Sequence, residues 1–199
     1  MAVVTEGKTL IEALEEAKNK LGTEKIIYKK EEIKTGKIFQ KTTVKVTAIS
    51  SKELLEEIKS YLTEIITNMG LTVNFETSMR EETYEITMYS DNNPILIGKN
   101  GKTLKALETL VRAKINVDWG ITPKIVLDVE NYKDKRIAYL ERLAIKTAKE
   151  VRETKVDAVL ENMNSFERRV IHNKLTNFKG VSTISEGEEP NRHVIIKAE

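Results

Sequence analysis

Residues 97–107 read Ile97-Gly98-Lys99-Asn100-Gly101-Lys102-Thr103-Leu104-Lys105-Ala106-Leu107, and the fold is decided by what flanks them. Before them, Asn93-Pro94 predicts a helix start, with Asn93 as the N-cap and proline at the first helical position, in a short helix that Gly98 interrupts. After them, Leu104, Leu107, Leu110, Val111 and Ile115 recur at helical spacing. A Gly-x-x-Gly turn between two helices has two uses. It can simply reverse the chain, with Lys99 solvated at its tip. It can also let the backbone approach a nucleic-acid strand, while the N-terminus of the second helix points its amide dipoles at phosphate. Lys99, Lys102 and Lys105 add positive charge on the same side.

Working outward, Ser50-x-x-Glu53 is a capping-box pattern, followed by Leu54, Leu55, Ile58, Tyr61, Leu62, Ile65, Ile66 and Met69 in an apolar stripe. This predicts a long amphipathic helix closed by Gly70. Leu71, Val73 and Phe75, then Tyr84, Ile86 and Met88, alternate with polar residues, as in two half-buried antiparallel strands. Beyond Pro123, Ile125, Leu127 and Val129 share one face of another strand. The order is helix, strand, strand, helix, Gly-x-x-Gly, helix, strand.

The first fifty residues predict a strand, helix, strand, strand unit. Thr9-x-x-Glu12 starts a helix over about residues 10–21 that Gly22 closes, and Lys25–Ile33 and Ile38–Ile49 are strands joined by a turn at Thr35-Gly36. After Glu130-Asn131 a new helix buries Ile137, Leu140, Ala144, Ala148 and Val151. A short strand near Val156–Leu160, a helix near Ser165–Leu175 capped by Asn164-x-x-Glu167, and closing strands at Val181–Ile184 and His193–Lys197 complete the chain.

The 199 residues are 40% apolar and 32% charged, enough for packed cores under a charged surface. With no cysteine and only His172 and His193, a disulfide framework and thiolate metal sites are excluded, and neither a metal nor another cofactor is expected. The N-terminal residues show no basic segment leading into an apolar run, and no stretch approaches about 18 consecutive apolar residues. The expectation is a cytoplasmic protein with no integral membrane segment. Net charge is +2, but residues 131–199 carry 14 basic and 11 acidic side chains, including six of the eight arginines. Arginine is the better phosphate fork and stacking cation, which hints at nucleic acid there.

The element order over residues 52–130 resembles the prokaryotic-type (type II) K-homology fold. That resemblance implies a loop clamping about four nucleotides of backbone, with Gly98, Lys99, Asn100, Gly101, Lys102 and Lys105 at the RNA. Further on, Met163-Asn164-Ser165-Phe166-Glu167-Arg168-Arg169-Val170-Ile171-His172, followed by Ser185-Glu186-Gly187-Glu188-Glu189-Pro190, resembles the Arg-x-x-x-His single-stranded nucleic-acid-binding domain of the Jag family, also called KhpB or EloR. A Jag-type N-terminal domain would account for residues 1–50, so the resemblance covers essentially the whole chain. It implies an α+β protein of three small domains in series: a β-α-β-β unit over 1–50, a K-homology domain over 51–130 and an Arg-x-x-x-His domain over 131–199. Many members carry a long charged linker after the first domain; here Ile49-Ser50-Ser51 runs almost directly into the next helix.

In the last domain the resemblance points to Arg168, Arg169, His172 and Arg192. Arg168 and His172, four apart on one helix face, are expected to grip a phosphate or sugar together, although such a pair is also an ordinary surface feature. If His172 meets phosphate, affinity should rise as pH falls from about 7.5 to 6. Lys135, Arg142, Lys146 and Lys149 fall within about 60° of one another on a helix and form a possible basic stripe. With Glu141, Glu150 and Glu153 nearby, the stripe also fits a solvated face.

No P-loop, Gly-x-Ser-x-Gly, His-Glu-x-x-His or cysteine nucleophile is present, so the sequence points away from an enzyme. The implied role is a single-stranded-RNA-binding regulator linked to cell elongation and envelope growth, with a small stand-alone K-homology protein as partner and a homo- or heterodimer as assembly. The alternative is a protein-interaction adaptor in which RNA contacts are secondary.

Overall fold

Why the N-terminal fifty residues fold as they do is visible at the first helix. β1 (Val3–Gly7) leads to α1 (Leu10–Leu21), whose N-cap Thr9 accepts a hydrogen bond from the Glu12 amide and whose C-cap Gly22 is left-handed at φ 63°. In this computed structural model, which describes residues 2–35, 41–80 and 82–199, β2 (Ile26–Thr35) and β3 (Lys41–Ser50) follow. The turn expected at Thr35-Gly36 and the strand start at Ile38 fall on Gly36 and Ile38, outside the described residues. The antiparallel sheet has the order β1-β3-β2. Ala13 and Ala17 of α1 pack on Val46 and Ala48. Alanines bury little area, so this core is thin, and fifty residues are few for an independent fold. The far side of the sheet is used as well: Ile49 is buried, and the Lys29 ammonium lies 5.4 Å from the Trp119 ring centroid. The first fifty residues accordingly share one compact unit with the next eighty, Met1–Glu130.

α2 (Ser51–Asn68) opens with the full capping box, Ser50 and Glu53 each bonding the other's backbone amide. Leu54, Ile58, Leu62 and Ile66 are fully buried, each contributing about 1.5–3 kcal/mol by leaving water. β4 (Val73–Arg80) pairs antiparallel with β5 (Thr83–Ser90), and β5 pairs parallel with β6 (Lys124–Val129). A parallel pair requires a crossover. That crossover is α3 (Asn93–Ile97), a single 3₁₀ turn over Lys99–Gly101, and α4 (Lys102–Trp119). The sheet order β4-β5-β6 therefore carries the Gly-x-x-Gly turn outside the core, which Tyr84, Ile86, Met88, Ile125, Leu127 and Val129 fill from the sheet side. The Trp119 indole N–H donates to Glu57 of α2 at 3.1 Å.

Three details differ from the sequence reading. The N-cap of α3 is Asn92, because the Asn93 side chain turns back to accept from the Ser90 amide at 2.8 Å. Leu110 is 45% exposed, since it sits one 100° step around α4 from the inward Val111. Met69 lies at the end of α2 rather than in its buried stripe.

The second unit, Asn131–Glu199, begins at a junction where Glu130 and Asn131 are both at positive φ. It comprises α5 (Tyr132–Thr154), β7 (Ala158–Val159), α6 (Ser165–Leu175), β8 (Val181–Glu186) and β9 (His193–Ala198), with the antiparallel order β7-β9-β8. Leu140, Ala144, Ala148 and Val151 pack against Ile171, Leu175, Val194 and Ile196. The strand expected over Val156–Leu160 shortens to two residues, and β8 runs on to Glu186. Both units mix helix and sheet, an α+β arrangement in series. Among the described residues, no helix is long and apolar enough to cross a membrane.

Candidate nucleic-acid interface

Gly98 stands at φ 70° and ψ 174°, a conformation that side chains disfavour. A Cβ there would come within 2.8 Å of the Thr103 amide nitrogen, so no side chain is accommodated. The Gly98 amide donates to the Pro94 carbonyl at 2.9 Å, and the Gly101 amide donates to the Gly98 carbonyl at 3.2 Å. Asn100, at φ 54°, takes the left-handed conformation that asparagine tolerates best among non-glycine residues. Gly101 is the N-cap of α4 and has no side chain with which to cap it. The Lys102 amide donates to the Lys99 carbonyl, and the positive end of an 18-residue helix lies beside the turn, an anion-attracting end. Lys99 and Lys102 are exposed, and Lys105 is 75% exposed with a loose 3.5 Å contact to Glu108. All six residues singled out in the sequence are thus contiguous on one turn and one helix start.

Farther along α4 the structure adds a group that the sequence reading missed. Glu108 is buried and accepts from Arg112 Nη2 at 3.0 Å, while the same Nη2 donates to the Ile125 carbonyl at 2.6 Å. This bridge ties α4 to β6 and so fixes the helix that carries the turn.

In the second unit, Asn164 and Glu167 form a capping box at the start of α6, and buried Glu167 also accepts from Arg136 Nε at 2.7 Å. Arg168, expected on the helix surface, is only 8% exposed. Its Nη1 donates to the Met163 carbonyl at 2.7 Å and to Glu189 at 2.9 Å. His172 is half-buried, with Nδ1 2.6 Å from the Thr183 hydroxyl and Nε2 2.8 Å from the Ser185 hydroxyl. A neutral ring offers one donor and one acceptor, and the hydroxyls can complement either tautomer. Burial, and then the neighbouring Arg168 charge, hold the His172 pKa below its ordinary 6.5. Arg169 and Arg192 are exposed, and Phe166 on the same helix is 59% exposed. Thr183 and Ser185 could have been read as a pair, because alternate residues of a strand share a face. Glu189 lies 21 residues from Arg168, and no local spacing announces their contact.

The stripe on α5 is mixed. Arg142, Ile145, Lys146 and Lys149 line an open groove of about 470 Å³ together with Glu150 and Glu153. Lys135 is not among the lining residues.

Both units have counterparts among known proteins. Residues 55–126 match the KhpA/KhpB KH domain family, and residues 138–198 match the domain family named for the Arg-x-x-x-His pattern. An "RNA-binding protein KhpB" of Bacillus subtilis is 34% identical over 98% of this chain and 97% of its own length. The chain belongs to the KhpB family. Proteins of the same name from Clostridium symbiosum and Lactiplantibacillus plantarum are 43% and 35% identical over 65% and 68% of this chain. The chain matches 58% and 42% of the length of those two KhpB proteins. The KH match includes the Gly-x-x-Gly turn, and the Arg-x-x-x-His match includes Arg168, Arg169, His172 and Arg192.

Proposed function

We propose that this chain binds single-stranded RNA at two places and acts as a post-transcriptional regulator. The observation that carries the reading is the Gly98–Gly101 turn, where exposed lysines surround a helix N-terminus whose N-cap is glycine. The second place is formed by Arg169 and His172 of α6 and Arg192 of the β8–β9 loop, with buried Arg168 beside them. Membership of a family whose relatives are named RNA-binding proteins supports the same reading. A link to cell elongation and pairing with a small stand-alone KH protein belong to the proposal, supported by family membership alone. A filter-binding assay of the full chain with mixed-sequence single-stranded RNA tests it. Saturable retention that double-stranded DNA competes for poorly is expected, whereas no retention at about 0.1 M salt would count against RNA binding.

His172 gives the proposal a pH signature. Its folded pKa lies below the unfolded value, so the neutral ring stabilises the fold above about pH 6.5, and that contribution is lost as pH falls through the folded value. A nearby phosphate favours the charged ring and raises its pKa on binding. The rise in affinity should therefore begin near the raised pKa of the bound ring and continue down to the depressed pKa of the free protein, which lies below 6.5. His172→Gln should flatten both the acid loss of stability and the gain in affinity. Anisotropy and melting curves between pH 7.5 and 5 check this, and unchanged profiles in the variant would assign both effects to other groups.

A further inference from the structure

We infer that Arg168 is a positioning residue: its buried guanidinium holds the loop between β8 and β9 and so sets where Arg192 meets RNA, without itself touching phosphate. The inference rests on the RNA-binding reading of the second unit and changes the part Arg168 plays in it.

Arg168 Nη1 joins two segments distant in sequence, the approach to α6 through the Met163 carbonyl and the β8–β9 loop through Glu189. The same two segments are joined by the Met163 amide donating to the Arg192 carbonyl at 3.1 Å. Asn162 Nδ2 also donates to Asn191 Oδ1 at 3.2 Å. The backbone of Arg192 is thus clamped on one side by Met163, and two residues from the Pro190 that follows Glu189. At the loop entrance Gly187 stands at φ 86°, where a Cβ would lie 3.2 Å from the Asn191 carbonyl oxygen. The loop is closely folded, and Arg168 is the charged group beneath it.

Burial decides between holding and contacting. The Arg168 side chain is 10% exposed, whereas its partner Glu189 is 60% exposed. A buried guanidinium needs its charge-assisted partners, because removing one leaves an uncompensated charge out of water. An RNA phosphate reaching Nη1 would have to displace Glu189, and any approach with Glu189 in place meets a like charge. Arg169, one residue on, points about 100° away around α6 and is exposed, as is Arg192. These two are free to meet phosphates without any rearrangement.

The test uses the full chain, a labelled mixed-sequence single-stranded RNA, and salt titration at pH 7.5. The variants are Glu189→Gln, Arg168→Gln, Arg169→Gln, Arg192→Gln and the combinations of the first two with Arg192→Gln. One phosphate contact contributes about 0.7 to the salt slope, or about fivefold in affinity at 0.1 M salt. Arg192→Gln should lose about that much. Glu189→Gln and Arg168→Gln should each lose a comparable amount and lower the slope by up to the same 0.7, with little further loss when combined with Arg192→Gln. Because Glu189 is largely exposed, its variant keeps the test decisive even if Arg168→Gln fails to fold. Tighter binding by Glu189→Gln would overturn the inference, since a freed Arg168 would then be the phosphate contact. Additive slopes for Arg168→Gln and Arg192→Gln would overturn it as well. If Arg192→Gln and Arg169→Gln both bind as the parent does, the RNA-binding reading of this unit itself fails, a result distinct from either of these.

Discussion

Replacing Lys99 and Asn100 together by aspartate is expected to weaken binding to single-stranded RNA more than tenfold, with circular dichroism and melting unchanged. Lys99 is exposed, and aspartate tolerates the left-handed conformation of Asn100, so the turn can persist. Losing the Lys99 charge removes one phosphate contact, about fivefold at 0.1 M salt. Two new negative charges beside the phosphate path and the α4 N-terminus add repulsion, and tenfold corresponds to only about 1.4 kcal/mol. Anisotropy on a labelled RNA reads the effect. Parent-like affinity in a folded double variant would remove the turn from the binding site.

A larger effect is expected from RNA length. Only Glu130 and Asn131 separate β6 from α5, so the two units that carry the proposed sites are joined by a very short stretch of chain. When one strand occupies both, the second contact is intramolecular, and joint affinity can exceed that of either site by about 10² to 10⁴. An RNA long enough for both sites should therefore bind far more tightly than one of about five nucleotides. Arg169→Gln combined with Arg192→Gln should remove most of that gain while leaving the short RNA nearly unaffected. If the gain with length is no larger than the number of registers a longer RNA offers, the two sites do not share a strand.

The parts of this fold that follow local rules were legible. The capping boxes at Ser50 and Asn164 and the stripe Leu54, Ile58, Leu62, Ile66 lie within single helices, where sequence spacing is spatial spacing. The Gly-x-x-Gly site was legible for the same reason, being one turn and one helix start. What escaped depends on contacts between distant segments. The burial of Arg168 needs Glu189 and Met163 around it, and a helical wheel can show only that Arg168 neighbours His172. The depressed His172 pKa comes first from burial under β8, and only second from the charge of Arg168 four residues back on the same helix. Asn93 was misplaced by one residue because two adjacent asparagines both suit a cap, and only the bond to Ser90 separates them.

The salt dependence of RNA binding tests the account most directly. With Lys99, Lys102, Lys105, Arg169 and Arg192 at phosphates and His172 neutral at pH 7.5, the log–log slope for a long single strand should be about −3 to −4. The Lys99→Asp, Asn100→Asp variant should be shallower by at least about 0.7. A parent slope near zero, or an identical slope in the variant, would contradict binding through the Gly98–Gly101 turn.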